Sequence, residues 1–284
     1  MQSYEEYVFT GERALFAEED AQISQSIFED GESPLKESRH IDISDTIFRW
    51  KYPLWYSNQI KANTITLLDT ARAGIWYTNH ITIKNSTIQA PKTFRKSSHI
   101  LLEQVTFNQA EETLWNCSDI NLKDVQITGD YVGLNSRNIK AKNLSLVGNY
   151  SFDGAKNIEI SNSRIISKDA FWNAENVVVK NSTIVGQYLA WNAKDITFIN
   201  CTIESNQGLC YVENLKLENC RLLHTDLAFE YSTVEADITS SIESIKNPIS
   251  GYIKAPKIRE IIFDDSEIVS ENTIITTGEM ANAV

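Results

Sequence analysis

The chain has 284 residues, of which 42% are hydrophobic, and its formal net charge at pH 7 is −12. This apolar content is sufficient for a packed core, whereas the negative charge disfavours nucleic acid and anionic membrane surfaces as partners. No stretch approaches the roughly 18 consecutive apolar residues that a transmembrane helix requires. We therefore expect a folded domain with neither a nucleic-acid nor a membrane partner.

The first twenty residues are acidic and interrupted by charges, as in MQSYEEYVFTGERALF. They lack the basic flank and the apolar run of a secretory signal. We interpret residues 1–20 as an N-terminal cap segment and expect a cytoplasmic protein. Four cysteines without CxxC spacing agree with reduced thiols in that compartment.

A repeat of 19 residues occupies most of the chain after residue 20. The aliphatic residues that begin the most regular copies are Ile120, Ile139, Ile158, Val177, Ile196 and Leu215. Ile81 and Ile100 extend this series of anchors upstream, and looser copies begin at Ala21, Ile41, Ile65 and Ile261. The repeat predicts about a dozen coils within residues 21–270, followed by a C-terminal tail at 271–284.

Each copy alternates apolar and polar residues with a period of two, as from Ile158 to Ile165. Such alternation predicts short strands with one buried face. An Asn or Asp lies between two strands in most copies, and these residues tolerate the left-handed backbone of a sharp corner. We expect a third strand at the end of each copy, as in FWNA (171–174) and AWNA (190–193). The pattern therefore predicts an all-β, single-stranded, right-handed parallel β-helix.

Several segments carry a family resemblance: GERALF (11–16), FEDGESPLKES (28–38) and the FWNA and AWNA endings. They resemble an uncharacterised bacterial family, the domain of unknown function 3737. The resemblance covers nearly the whole chain and implies a right-handed β-helix similar to pectin-lyase-like proteins. It implies no established activity and supplies no catalytic residues, so sugar chemistry at the level of the fold is an analogy only.

A row of residues five positions before the anchors mixes aromatic and charged side chains. The row consists of Trp76, Arg95, Trp115, Leu134, Asp153, Trp172, Trp191, Cys210 and Phe229. Because such a mixture is difficult to bury in a narrow coil, we expect the row to face outward along the third strand. In the alternative arrangement the tryptophans belong to the core, and the adjacent Asn116, Asn135, Asn173 and Asn192 point outward.

An outward row would place Trp172 and Trp191 on successive coils as a platform for a ligand. Aromatic faces pack against apolar surfaces such as the C–H faces of sugars. Loop tyrosines fall three residues before the row in their coils and would wall the same groove. The predicted ligand-binding residues are therefore Trp76, Arg95, Trp115, Trp172, Trp191, Tyr131, Tyr150 and Tyr188, with a saccharide as the ligand.

Catalysis on a saccharide would require further groups. Glycoside hydrolysis needs two carboxylates roughly 5–9.5 Å apart, for which Asp153 with Asp130 or Asp169 is the candidate set. A lyase would instead use a base and positive charge, and Arg95 and Lys96 provide the charge.

Two histidines share one corner position in adjacent coils. His80 and His99 would bind a metal only if a carboxylate joined them. The alternative is that histidine merely replaces asparagine in a row of corners. We predict neither a metal nor a cofactor.

The sequence thus supports two hypotheses of different classes. The leading one is a protein that binds or processes a carbohydrate along the outward face of the third strand, with the chemistry of a glycosidase or a lyase if it is an enzyme. The alternative is a noncatalytic scaffold for protein–protein interaction or for self-association as a homo-oligomer. An exposed tryptophan row lined by carboxylates or amides favours the first, and buried tryptophans favour the second.

Overall fold

A computed structural model describes residues 2–278 of the chain. These residues form short strands and two 3-10 helices, Asp69–Ala71 and Ser270–Asn272. They divide into two compact units, of which unit 1 ends at Val147 and unit 2 begins at Gly148.

Unit 1 contains eight first strands, one for each coil. These strands are Gln2–Glu5, Glu19–Ser24, Arg39–Ser44, Asn58–Asn63, Asn79–Ile88, Ser98–Phe107, Ser118–Lys123 and Arg137–Lys142. Each pairs in parallel with the first strand of the neighbouring coil, so Ile41 is the register partner of both Ala21 and Ile60. The separate second strands are Val8–Phe9, Ile27–Phe28, Ile47–Phe48, Thr66–Leu67, Gln126–Thr128 and Ser145–Val147.

Unit 2 contains seven first strands in the same arrangement. They are Lys156–Ser161, Glu175–Lys180, Lys194–Ile199, Glu213–Leu223, Thr233–Ile238, Ser250–Ala255 and Thr273–Thr277. The separate second strands are Arg164–Ile166, Thr183–Val185 and Thr202–Glu204. Ile242–Lys246 and Ile258–Ile262 form a two-stranded parallel sheet of their own.

The predicted parallel β-helix with a repeat near 19 residues is confirmed. Eight first strands in unit 1 and seven in unit 2 give about 15 turns, compared with the dozen expected. Two of these strands, Gln2–Glu5 and Thr273–Thr277, come from the predicted cap and tail; tail residues 279–284 lie outside the described residues. Parallel strands joined by crossovers favour the right-handed sense that the sequence predicts.

Two of the looser anchors are misplaced in the sequence prediction. The anchor of its coil is Ile60 instead of Ile65, because Ile60 is the register partner of Ile41 and Ile81. The interval after Ile60 is longer because this coil also contains the 3-10 helix Asp69–Ala71. Ile261 pairs with Ile245 in the two-stranded sheet and therefore begins no coil of the main sheet.

Stacked side chains fill the interior and the corners of each coil. In unit 1 the ring of Phe28 lies 4.6 Å from that of Phe9 and 4.8 Å from that of Phe48. At the corners, amides donate to the equivalent side chain one coil away, as Asn200 Nδ2 does to Asn181 Oδ1 at 3.1 Å. Identical positions thus satisfy one another along the stack, which explains why Asn recurs at one phase of the repeat.

The predicted third strand is wrong for most coils, because the segment is a series of turns. Every second residue there has a left-handed backbone, with φ of 55° at Asp169, 62° at Phe171 and 54° at Asn173. A pleated strand cannot contain such alternation. The segment stacks through main-chain hydrogen bonds instead, and isolated parallel bridges connect Trp76 to Arg95 and Arg95 to Trp115. We call it the third segment.

Candidate functional site

The third segment places the predicted tryptophan row at the surface and the residue before it in the core. Trp76, Trp115, Trp172 and Trp191 are all half-buried, whereas the neighbouring Phe171 is fully buried. The tryptophans are therefore not core residues, although the neighbouring asparagines are exposed as the alternative arrangement predicts, namely Asn116, Asn135, Asn173 and Asn192. Two consecutive residues point in opposite directions, which lets a narrow coil present large aromatic side chains outward.

The row does not continue outward through its last two predicted members. Cys210 and Phe229 are both buried. Cys210 follows Trp191 by 19 residues and keeps its register, but its short side chain is buried, whereas Phe229 has the left-handed backbone of a core position, with φ of 68°. Tyr211, in register with the exposed Asn192, stacks on Trp191 with ring centroids 4.7 Å apart. Tyr231 follows at 5.2 Å from Tyr211.

In unit 1 the side chains of the row stack on one another in the order Trp55, Trp76, Arg95 and Trp115. We call this stack the unit 1 ladder. The rings of Trp55 and Trp76 are stacked 5.2 Å apart with 8° between their planes. The Arg95 guanidinium carbon lies 4.9 Å from the Trp76 ring centroid and 4.4 Å from that of Trp115. The indole N–H groups donate to main-chain carbonyls, as Trp76 Nε1 does to Lys92 O at 2.7 Å. This unit 1 ladder therefore exposes ring edges, since its faces cover one another.

Trp55 belongs to this ladder but is absent from the row predicted from the sequence. The predicted row lies five residues before each anchor, and the predicted anchor of this coil is Ile65. Counting five residues back from the correct anchor, Ile60, leads to Trp55. The signal was therefore present in the sequence and was obscured by the longer coil.

Arg95 already has a partner within unit 1. Its Nη2 pairs with Glu112 Oε2, which also lies 3.1 Å from Lys92 Nζ. Its Nε is buried and has no hydrogen-bond partner among residues 2–278. The side chain thus links two tryptophans and a carboxylate. Its predicted role in ligand binding would require displacement of Glu112.

The remaining predicted residues of unit 1 lie beside Trp115. Trp115 Nε1 donates to Tyr131 O at 2.5 Å, and Glu112 N donates to Asp130 O at 2.9 Å. Tyr131 is 41% exposed and forms an edge-to-face contact with Trp115. Asp130 therefore belongs to unit 1, whereas Asp153 and Asp169 belong to unit 2.

Unit 2 brings six side chains around one pocket of about 440 Å³. The lining residues are Tyr150, Lys168, Asp169, Trp172, Tyr188 and Trp191. Tyr188 packs edge-to-face against Trp191 at 5.6 Å. Trp172 makes no ring contact with another aromatic side chain in the described part of the chain. The pocket thus offers an indole ring on which no aromatic ring or cation of the described residues is stacked, unlike the rings of the unit 1 ladder.

A glycine allows the two loops of this pocket to lie against each other. A Cβ atom added to Gly186 would lie 1.9 Å from the carbonyl oxygen of Ser167. The loops are then joined by the hydrogen bond from Asp169 N to Gln187 O at 2.9 Å. Close approach at Gly186 therefore sets the spacing between the segments that carry Trp172 and Trp191.

Asp169 is the electrostatic centre of the pocket. It is 4% exposed, and this burial is the main cause that raises its pKa above the ordinary value. The neighbouring charge of Asp153 raises the pKa further, while Lys168, whose Nζ lies 3.9 Å from Asp169 Oδ2, lowers it. Asp153 itself accepts a hydrogen bond from Asn173 Nδ2 at 3.1 Å. The pocket thus contains a buried carboxyl group with a raised pKa, and the carboxyl group of Asp153 lies close enough to contribute to that shift.

The two histidines of the corner row stack as expected from their phase. The rings of His80 and His99 are 4.2 Å apart and 5° from parallel, and His99 Nδ1 lies 2.9 Å from Asn79 Oδ1. No group of three metal-ligating side chains occurs within residues 2–278. The two histidine rings thus stack at the corner position that asparagine occupies in other coils.

None of the helices within residues 2–278 has the length and apolar character that a membrane crossing requires.

Two solved β-helical structures are similar to the chain. The A-module of mannuronan C-5 epimerase AlgE4 from Azotobacter vinelandii is 10% identical, with a TM-score of 0.31 and coverage of 96% of this chain and 87% of that one. PfbA, a surface adhesin of Streptococcus pneumoniae, is 12% identical, with a TM-score of 0.31 and coverage of 92% and 81%. At these scores neither likeness informs function.

No curated protein sequence matches the chain. The sequence profile of one family, described as a protein of unknown function (DUF3737), matches residues 2–276. This range includes all the strands of unit 1 and all six residues that line the pocket of unit 2. The chain therefore belongs to the DUF3737 family.

Proposed function

We propose that unit 2 binds a carbohydrate in the pocket lined by Trp172 and Trp191. The observation that carries the proposal is that Trp172, whose ring has no stacked aromatic partner within residues 2–278, lines a cavity of about 440 Å³. Aromatic faces attract the C–H faces of sugars, and polar groups around them fix the orientation of the hydroxyls. Tyr150, Lys168 and Asp169 supply such polar groups.

The volume and composition of the pocket support this choice of ligand. Sites for small molecules typically occupy roughly 300–1,000 Å³ and combine apolar walls with few polar groups. Three of the six lining side chains here are phenol or carboxyl groups that can exchange hydrogen bonds with hydroxyls, namely Tyr150, Tyr188 and Asp169. The single cation, Lys168, lies 5.7 Å from the Tyr188 ring.

A hydrolytic role for Asp169 and Asp153 is part of the proposal. A general acid must keep its proton near neutral pH, which burial of Asp169 favours. Asp153 would then act as nucleophile or base, as the second carboxylate of a glycosidase does. The predicted contribution of Asp130 would concern unit 1, where it lies beside Trp115. A lyase would use Lys168 as the positive charge beside an acidic sugar.

A noncatalytic scaffold is the second candidate, and the unit 1 ladder favours it. There Tyr56 and Tyr77 stack 4.7 Å apart and remain 49% and 38% exposed. Exposed tyrosines beside covered tryptophan faces resemble a surface for protein binding more than a sugar platform. In this function the aromatic pocket of unit 2 would bind no saccharide.

Titration with oligosaccharides distinguishes the two candidates. A panel of neutral and acidic oligosaccharides is added while tryptophan fluorescence is followed in wild type, Trp172→Ala and Trp191→Ala. Trp50→Ala serves as the matched control, because Trp50 is 37% exposed and lies in unit 1. We expect saturable binding in wild type and the control, weakened about tenfold (about 1.4 kcal/mol) in the pocket variants. Equal binding by the folded Trp172→Ala variant, or none by wild type, would overturn the proposal.

A further inference from the structure

A second concave surface lies on the outer face of the first strands in unit 1. Its cavity measures about 760 Å³, compared with about 440 Å³ for the aromatic pocket. The lining side chains come from six consecutive coils, from Ser3 in the first to Leu101 in the sixth. We call this surface the strand-face groove. It contains no aromatic side chain and shares no residue with the unit 1 ladder.

Two rows of outward side chains form the floor of the strand-face groove. The first row consists of the register partners Ser3, Gln22, Asp42, Lys61 and Thr82. The second row consists of Ser24, Ser44, Asn63 and Lys84. Since neighbouring strands lie about 4.8 Å apart, a hydroxyl, amide or charged group recurs at that interval along the groove.

Asp42 and Lys61 carry free charges into the groove. They are register partners of opposite charge, yet within residues 2–278 neither forms an ion pair or a side-chain hydrogen bond. Other register partners of opposite charge do pair, as Lys84 Nζ and Glu103 Oε2 do at 2.9 Å. The carboxylate of Asp42 and the ammonium of Lys61 therefore remain available as an acceptor and a donor for a ligand.

The spacing of these groups selects a class of ligand. The rings of a linear oligosaccharide advance by roughly one strand spacing per sugar, and each ring carries hydroxyls on both edges, so every coil can meet a hydroxyl. An extended peptide presents side chains to one side only every second residue, about 6.6–6.8 Å apart. That interval does not match the spacing of about 4.8 Å between coils. Nucleic acid is disfavoured by the net charge of −12 and by Asp42 in the floor.

We propose that the strand-face groove binds a linear, uncharged oligosaccharide lengthwise across the strands. Asp42 accepts hydrogen bonds from sugar hydroxyls, Lys61 donates to them, and the serine and amide side chains bind the neighbouring rings. Asp42 is the single carboxylate among the lining residues, so the groove lacks the pair that hydrolysis requires. It is therefore an anchoring site, and this inference goes beyond the site proposed in unit 2.

The test uses calorimetric titration with cello- and manno-oligosaccharides of two to six rings. The background is the Trp172→Ala/Trp191→Ala double variant, in which the aromatic pocket is disabled. We expect affinity to rise with chain length and to fall about tenfold (about 1.4 kcal/mol) when Asp42→Asn and Lys61→Met are added. The matched control is Lys216→Met on the equivalent strand face of unit 2, because Lys216 Nζ already pairs with Glu218 at 2.8 Å.

The two proposals fail in different ways. Failure of the aromatic pocket would appear as equal binding by wild type and the Trp172→Ala/Trp191→Ala variant, which leaves the groove intact. The groove proposal is overturned if that double variant binds neither series. It is also overturned if binding is independent of chain length and insensitive to Asp42→Asn and Lys61→Met.

Discussion

The side chains of the consecutive residues Phe171 and Trp172 point to opposite sides of the coil. Phe171 is fully buried, with its ring centroid 5.7 Å from that of Phe152, whereas Trp172 lines a pocket open to solvent. The left-handed backbone of Phe171, with φ of 62°, accompanies this division. One turn of chain thus contributes an aromatic ring to the core and another to the candidate site.

This division predicts unequal effects on stability. Phe171→Ala leaves a cavity in the core and should lower the free energy of unfolding by about 3–5 kcal/mol. Trp172→Ala removes a half-buried ring and should cost less than about 2 kcal/mol. Urea denaturation of both variants measures the difference, and equal costs would contradict the assignment of Trp172 to the surface.

The buried carboxyl of Asp169 predicts that the pocket reduces stability at neutral pH. Its folded pKa is raised, so the unfolded chain loses this proton first and stability falls as pH rises from about 3.8 through the raised pKa. Asp169→Asn removes the buried charge and should be more stable than wild type at pH 7, with the difference vanishing below pH 3.8. Urea midpoints measured across this range test the sign. A variant less stable than wild type at pH 7 would contradict it.

The lowered pKa of Glu103 predicts that stability depends on pH in the opposite direction in unit 1. Hydrogen bonds from Lys123 and Lys84 lower its pKa from 4.5 to about 2. Because the folded pKa is depressed, the stabilisation is present above pH 4.5 and is lost as pH falls towards 2. Glu103→Gln should flatten the acid limb of a stability–pH curve, whereas Glu260→Gln, a change at an exposed glutamate, should leave the curve unchanged. An unaltered acid limb in Glu103→Gln would refute this role.

The position of the Arg95 guanidinium between two indole rings predicts that charge alone does not maintain the unit 1 ladder. A guanidinium can stack flat between Trp76 and Trp115 while it pairs with Glu112, and an ammonium cannot. We expect Arg95→Lys to lower the free energy of unfolding by about 1–2 kcal/mol, the magnitude of a partly desolvated cation–π contact. Thermal denaturation checks the effect. Full stability of Arg95→Lys would show that only the positive charge matters.

The fold was predictable because its signal repeats. Ile158, Val177 and Ile196 recur at one interval, and parallel stacking makes each the register partner of the next. The prediction failed where a coil changes length, as between Ile60 and Ile81. It failed again in the third segment, where main-chain hydrogen bonds between coils hold bulky residues such as Phe171 in a left-handed backbone that their own preferences disfavour.

The candidate site was predictable only in part. Its phase in the repeat indicated that Trp172 and Trp191 share one face, and Tyr150, Tyr188 and Asp169 follow from the same phase. Whether an indole face is covered depends on its neighbours in space, as the guanidinium of Arg95 shows for Trp76. The free charges of Asp42 and Lys61 likewise depend on side-chain conformations that the repeat does not encode.

Fluorine NMR of protein labelled with 5-fluorotryptophan tests the central claim most directly. The six tryptophans give separate signals, which single Trp→Phe substitutions assign. A saccharide that binds in unit 2 should shift the signals of Trp172 and Trp191 in a saturable way. The signals of Trp55, Trp76 and Trp115, whose ring faces are already covered, should stay in place. Shifts confined to the ladder, or none at any saccharide concentration, would contradict the account.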